Sequence, residues 1–171
     1  MTGVALLARD PAALALFYTQ ALGFVATPGA DGIALGLGDA RVELIAAPAA
    51  AAAYPVPRAS DDPWFQHIAV VVADMGEAHR RALRHGAVAI SRGGPQRLPA
   101  SAGGVSAFKF RDPEGHPLEL LEFPPATCPP WWRGRGGGGP CIGIDHSAIV
   151  VADTARAIAF YARLGFAPSG G

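Results

Sequence analysis

Apolar and polar positions alternate along this chain in two periods, and the switches between them mark its elements. Residues 4–8 form a short apolar run that ends at Asp10-Pro11, after which Leu14, Phe17, Tyr18, Ala21 and Leu22 recur at helical spacing up to Gly23. Asp at a cap and Pro in the first turn start a helix, one apolar stripe packs it, and Gly stops it. The order of strand, Asp and amphipathic helix returns at 68–72 with 75–85, and again at 143–151 with 154–164. Short alternating segments at 33–37 and 41–45 read as strands meeting at Gly38-Asp39, and a strand is predicted at 88–91. Residues 105–110 and 117–123 pair across Asp112-Pro113-Glu114-Gly115, where Pro suits the turn's φ and Gly its reversal. Each complete unit is therefore β, α, then two or three β.

With Asp10, Asp74 and Asp153 as equivalent anchors, the residues seven places earlier are Gly3, His67 and His146. After the first and third anchors comes nearly the same phrase, Phe17-Tyr18-Thr19-Gln20-Ala21-Leu22-Gly23-Phe24 and Phe160-Tyr161-Ala162-Arg163-Leu164-Gly165-Phe166. A repeat of this size is one supersecondary unit that cannot bury its own apolar face, so function is sought where units meet. The third unit supplies one strand and one helix, whose unpaired edges mean either a fragment or a segment docked on another surface. The Ala- and Pro-rich stretch 46–63, the Gly- and Pro-rich loop 92–104 and the segment 124–140, with WWRGRGGGG, punctuate the units. The loop is of a kind used for ligand contact.

At 171 residues the chain suffices for one well-cored domain, and its 14 basic and 14 acidic residues give no electrostatic footprint for nucleic acid or an anionic membrane. A small molecule is the default partner. No apolar stretch approaches the roughly 20 residues that span a bilayer, and no basic region precedes an apolar run at the N-terminus, so a cytoplasmic protein is expected. Cys128 and Cys141 lack the close spacing of a thiolate metal site or redox pair; a disulfide between them would close the Trp- and Gly-rich loop, and two free thiols are the reading that suits a cytosolic chain.

Glu43 in Arg41-Val42-Glu43-Leu44-Ile45 and Glu119 in Pro117-Leu118-Glu119-Leu120-Leu121 each sit between aliphatic residues of a predicted strand, with Pro48 and Pro124 five residues on. Pointing outward, the two carboxylates are merely solvated. Pointing inward, they need a cation or hydrogen-bond partner, and His67 on a neighbouring strand can share a metal with them. A histidine at a strand start is commonly a surface or hydrogen-bonded residue, and its recurrence in register at His146 strengthens the ligand reading. Trp64, Phe65, Trp131 and Trp132 either stack on a flat ligand or cover a sheet edge. Lys109 and Arg41 flank inward positions, His79 and His85 lie on a solvated helix face, and His116 beside the turn is expected at the surface.

The helix end at 17–24, the run His67-Ile-Ala-Val-Val-Val-Ala-Asp74, the run Phe110-Arg-Asp-Pro-Glu-Gly-His-Pro-Leu-Glu-Leu121 and the third copy at 145–166 together resemble the vicinal oxygen chelate superfamily of glyoxalases, bleomycin resistance proteins and extradiol dioxygenases. The resemblance implies an α+β fold of paired βαβββ modules forming a curved mixed-sheet cup. Modules at 1–48 and 64–124 make one domain, 125–142 is a linker, and 143–171 begins a truncated third module. It implies metal ligands from the first and last strands of each module, here His67, Glu119 and Glu43, with His146 as the third unit's contribution and Gly3 as a slot without a donor. The cofactor implied is a divalent Fe, Mn, Ni, Mg or Zn ion, or none in the first domain. Glu119 and Glu43 are the catalytic candidates, moving between ligand and base in a lyase, isomerase or ring-cleaving dioxygenase. A binding cup without catalysis, as in the bleomycin-binding relatives, is the alternative. Modules of the family also pair between chains, so a homodimer with His146 acting in trans is a further expectation.

Overall fold

The computed structural model describes residues 3–55, 59, 62–63, 65–135 and 139–168, with Phe65 as backbone only. Trp64 and the side chain of Phe65, offered above as stacking surfaces, lie outside the described residues. The elements in chain order are β1 (Val4–Ala8), α1 (Pro11–Leu22), β2 (Val25–Pro28), β3 (Gly32–Leu37), β4 (Ala40–Ala46), β5 (Phe65–Val72), α2 (Met75–Arg84), β6 (Val88–Ala89), β7 (Gln96–Arg97), β8 (Ser106–Arg111), β9 (Pro117–Glu122), β10 (Cys141–Ile149) and α3 (Thr154–Arg163). The fold is α+β, as the sequence predicts.

The anchor aspartates are helix caps. Asp10 Oδ1 accepts from the Ala13 N–H at 3.0 Å, Asp74 Oδ1 from Glu77 at 2.8 Å and Asp153 Oδ1 from Arg156 at 2.9 Å. Each satisfies a donor that the first helical turn otherwise leaves orphaned. Helix α1 ends at Gly23, whose φ of 78° is the left-handed conformation that favours glycine.

Two sheets form, one ordered β1-β4-β3-β2 and one ordered β10-β5-β9-β8-β6 with β7 also on β8. The repeat is kept in its register. Ala5 lies opposite Glu43 in the parallel pair of β1 and β4, and Ala69 lies opposite Glu119 in the parallel pair of β5 and β9. One continuous core joins the sheets: Leu6, Leu35, Val42 and Leu44 from the first, Ile68, Val70, Phe108 and Leu120 from the second, and Leu14, Tyr18, Leu22, Met75 and Ala82 from the two helices. Helix α1 thus packs on α2, and the sheets turn their other faces away from this shared interior.

The first two units keep separate, open sheets. Strand β1 pairs with β4 alone among the described strands, and the free edge of β5 is taken by β10, running antiparallel to it. Burial of the helix-side faces in one core sets the units back to back, and β10 satisfies backbone groups that β5 otherwise leaves unpaired. The helix of the third unit stays uncovered. Its Ile158, Phe160 and Leu164 are exposed, although α1 buries the residues of the same phrase.

The turn between β8 and β9 is the chief polar tie between the units. Asp112 is buried and accepts from the backbone N–H of Glu114 and of His116, from the Tyr18 hydroxyl at 3.2 Å and from His116 Nδ1 at 2.9 Å. His116 Nε2 lies 3.0 Å from the Leu7 carbonyl, so both ring nitrogens face acceptors and both must carry protons. Glu114 accepts from the N–H groups of Arg9 and Asp10. His116 is therefore buried and not exposed as expected, because the turn inserts into the first unit.

Burial pushes the His116 pKa down, but its hydrogen bond to Asp112, the Asp112 charge and the Leu7 carbonyl outweigh this, and the net shift is upward. A raised folded-state pKa gives stability that is complete below the unfolded imidazole value, roughly 6.5, and is lost as pH climbs through the folded value. Thermal midpoints taken between about pH 6 and pH 9 are expected to fall with rising pH in the wild-type chain and to fall less in His116→Gln. Parallel profiles for the two proteins would remove His116 as the source.

Candidate functional site

On the outward face of the second sheet, Ala69, Val105, Ala107, Leu121 and Phe123 form an apolar floor. His67 and Glu119 share this face by strand alternation, two residues before Ala69 and Leu121 respectively. His67 Nε2 lies 3.0 Å from Glu119 Oε2, and both side chains are buried. His146 comes from β10, with its Nε2 3.4 Å from His67 Nε2. One donor atom from each of the three residues lies within 4.8 Å of the others.

His146 reaches this face because of a β-bulge. Ile144 pairs with Val70, whereas His146 pairs with Ala69, so Asp145 is an extra residue on β10. Paired residues point to the same side of a sheet, and Ile144 and Val70 both point into the helix-side core. Simple alternation would send His146 there too. The inserted Asp145 reverses the order and aims the imidazole at His67 and Glu119.

Burial raises the Glu119 pKa, but the hydrogen bond from His67 and the charges of Lys109, His67 and His146 overcome it, so the net shift is downward. Glu119 is held as a carboxylate. Lys109 Nζ stands 3.9 Å from Glu119 Oε1. Asp145 Oδ2 lies 2.9 Å from His146 Nδ1, and its Oδ1 accepts from Trp132 Nε1–H at 2.9 Å. The bond to His146 lowers the Asp145 pKa most; burial opposes it and the Trp132 bond adds to it.

These donors fit a divalent ion. Ligand atoms at about 2.0–2.2 Å from a metal sit roughly 3–3.5 Å from one another, which is the spacing of His67 with Glu119 and with His146. Two imidazoles and one carboxylate on one side, with other positions open, suit Fe, Mn, Ni or Zn. Metal-bound imidazoles normally donate their second N–H to an acceptor. His146 does so through Asp145, whereas His67 Nδ1 is buried with no hydrogen-bond partner among the described residues.

Glu43 lies elsewhere. It is on the first sheet, partly exposed, with its Oε1 3.1 Å from Arg41 Nη2. The equivalent of His67 in that sheet is Gly3, which has no donor to offer it. The sequence missed Asp145 and Trp132 as partners of His146. The available signal was Asp145-His146 itself, two polar neighbours interrupting an alternating strand. Cys128 and Cys141 are free thiols, and burial pushes the latter's pKa up to about 12.

A cavity of about 820 Å³ opens at the other end of the same strands, lined in part by Val71, Phe123, Arg97, Glu122, Trp132 and Arg133. Glu119 and His146 lie level with Ala69, two residues from Val71 on β5, so cavity and cluster are neighbours, roughly 7 Å apart along the strand. Residues 124–135 form its outer wall as a strap, tied by Thr127 Oγ1 to the Gly103 carbonyl and by Arg135 Nη1 to Asp39 Oδ2 at 2.9 Å. Among the described residues no helix is long and apolar enough to cross a membrane.

Residues 2–120 match the model of the Glyoxalase/Bleomycin resistance protein/Dioxygenase superfamily. Among solved structures, a lactoylglutathione lyase from Agrobacterium tumefaciens is similar at 22% identity and a TM-score of 0.51, over 71% of this chain and 92% of that one. A glyoxalase/bleomycin resistance protein/dioxygenase family enzyme from Burkholderia phytofirmans PsJN is similar at 15% identity and a TM-score of 0.53, over 72% and 98%. An integron cassette protein from V. cholerae is similar at 18% identity and a TM-score of 0.53, over 72% and 94%. No curated protein matches the sequence.

Proposed function

The chain belongs to the Glyoxalase/Bleomycin resistance protein/Dioxygenase superfamily, and on that footing we propose that it is a metal-dependent enzyme acting on a small molecule with two adjacent oxygens. The observation that carries this is the approach of His67, Glu119 and His146 to within 4.8 Å on one sheet face. An ion held by these residues would supply Lewis acidity to neighbouring substrate oxygens and, as Fe(II), a place for O₂. Two histidines and one carboxylate with open positions are the ligand set of non-haem Fe(II) oxygenases, which favours ring-cleaving dioxygenation over lyase or isomerase chemistry.

The residues of the chain have distinct roles in this reading. Glu119, kept ionised, contributes charge and not a proton. Lys109 Nζ, 3.9 Å away, balances that charge and is placed to meet an anionic oxygen of the substrate. The floor of Ala69, Ala107 and Leu121 excludes water beside the cluster and strengthens these interactions. Titration of metal-free protein with Fe(II), Mn(II) or Co(II) is expected to raise its thermal midpoint, and the Fe(II) form is expected to consume O₂ when given a catechol. No shift with any of the three ions would sink the proposal.

Two observations support the non-catalytic cup as a second reading. Lys109 and His67 together balance Glu119 without an ion, and the cavity beside Trp132 and Phe123 suits a flat apolar body. Ligand-induced stabilisation in the presence of a chelator would select it over the first.

A further inference from the structure

The tie between the strap and the third strand reaches beyond this assignment. Among the described residues Trp132 is the one strap residue whose hydrogen bond leads, through Asp145, to a donor of the cluster: its Nε1–H goes to Asp145 Oδ1, and Asp145 Oδ2 faces His146 Nδ1. The ring is seated on β10 at Gly143. A Cβ there would lie 2.7 Å from Trp132 Cζ3 and 2.8 Å from Cη2, closer than real contacts allow, so a residue without a side chain is required.

An ionised Asp145 has no proton to give, so the short contact to Nδ1 requires that nitrogen to be the donor. With the proton on Nδ1, Nε2 keeps its lone pair, and Nε2 is the atom facing His67 Nε2. Among the described residues nothing comparable acts on His67, whose Nδ1 is buried without a partner there. His146 is also the most exposed of the three, on a strand that is held to β5 across three register shifts. Its ring is the donor most in need of an external hold.

We propose that Asp145 and Trp132 are positioning residues, which hold His146 as the Nδ1–H tautomer with its Nε2 lone pair directed at His67 and Glu119, and that Gly143 exists to seat the tryptophan that does so. The proposal rests on the metal reading for its functional meaning and on geometry alone for its structural content. It also accounts for the strap, since the wall of the neighbouring cavity and the orientation of His146 depend on one indole. A ligand that displaces Trp132 would release the imidazole.

The test separates these two levels. Long-range ¹H–¹⁵N correlation spectra of the metal-free protein, recorded at about pH 8.5, above the ordinary imidazole value of roughly 6.5, are expected to show His146 protonated on Nδ1. Asp145→Ala is expected to lose that preference, and Asp145→Asn to weaken it, since its single amide oxygen cannot accept from both Trp132 Nε1–H and His146 Nδ1–H. Gly143→Ala, which leaves every polar group in place and only unseats the ring, is expected to weaken the preference, as is Trp132→Phe. Co(II) affinity is expected to fall about 10- to 100-fold in Asp145→Ala, the usual effect of removing an outer partner of a metal-bound histidine, and to fall less in Asp145→Asn. Wild-type protein carrying the proton on Nε2, or the same tautomer ratio in Asp145→Ala, would overturn the proposal. Wild-type protein that binds no Co(II) yet loses the Nδ1–H preference in Asp145→Ala would uphold the positioning and dispose of the metal reading instead.

Discussion

Glu119→Gln is expected to weaken divalent-ion binding by about a hundredfold or more, and Glu43→Gln to leave it unchanged. Loss of an outer hydrogen-bond partner already costs roughly 10- to 100-fold in metal affinity, so loss of a negatively charged donor sets that range as a floor. Glutamine preserves the shape of the side chain and its packing beside Leu121, and it removes the charge that His67 and Lys109 share. Glu43 occupies the matching place in the other sheet, but its partner is Arg41, and the slot that would complete a site there is Gly3. Calorimetric titration with Co(II) on wild type and both variants checks this. Equal losses in the two variants would place the site at both carboxylates, and a loss confined to Glu43→Gln would move it to the first sheet.

Asp112→Ala is expected to be the most destabilising single change among the polar residues described, by about 3–5 kcal/mol, because it leaves the buried, doubly protonated His116 without its counter-charge. The same change strands the Tyr18 hydroxyl and two backbone N–H groups of the turn. For a chain of this length the loss corresponds to a fall of roughly 10 °C in thermal midpoint. The fall is expected at any pH at which the wild-type imidazolium persists, and the pH dependence traced to His116 is expected to shrink with it. A midpoint within about 3 °C of wild type would show that the turn does not hold the units together.

Much of this was written openly in the chain. The Asp anchors that reveal the repeat are the residues that cap its helices, so the pattern and its physical cause coincide. The parity of Glu43 with Ala5 and of Glu119 with Ala69 was readable because parallel strands in a repeated unit keep one register. His116 was misjudged because a turn signal describes local conformation and is silent on what the turn inserts into. The partner of β10 was equally hidden. Strand edges are chemically alike, and only the shared core, which sets the first two units back to back, leaves the edge of β5 available. The cluster was half legible: residue types and spacing marked His67, Glu119 and His146, but not that His146 would join the first two within the same chain.

The extra residue in β10 makes the site a matter of parity. On either side of Asp145 the strand runs in opposite phase, with Ile144 in one layer and His146 in the other. Ironing out the bulge with no change of sequence would pair Asp145 with Ala69, and every side chain beyond it would exchange faces. His146 would then fall opposite Ile68 and press into the apolar core, and Asp145 would stand where the imidazole had been. The chemistry of this face is therefore encoded as much by register as by identity, and two relatives could share all three donor residues and differ in whether they meet.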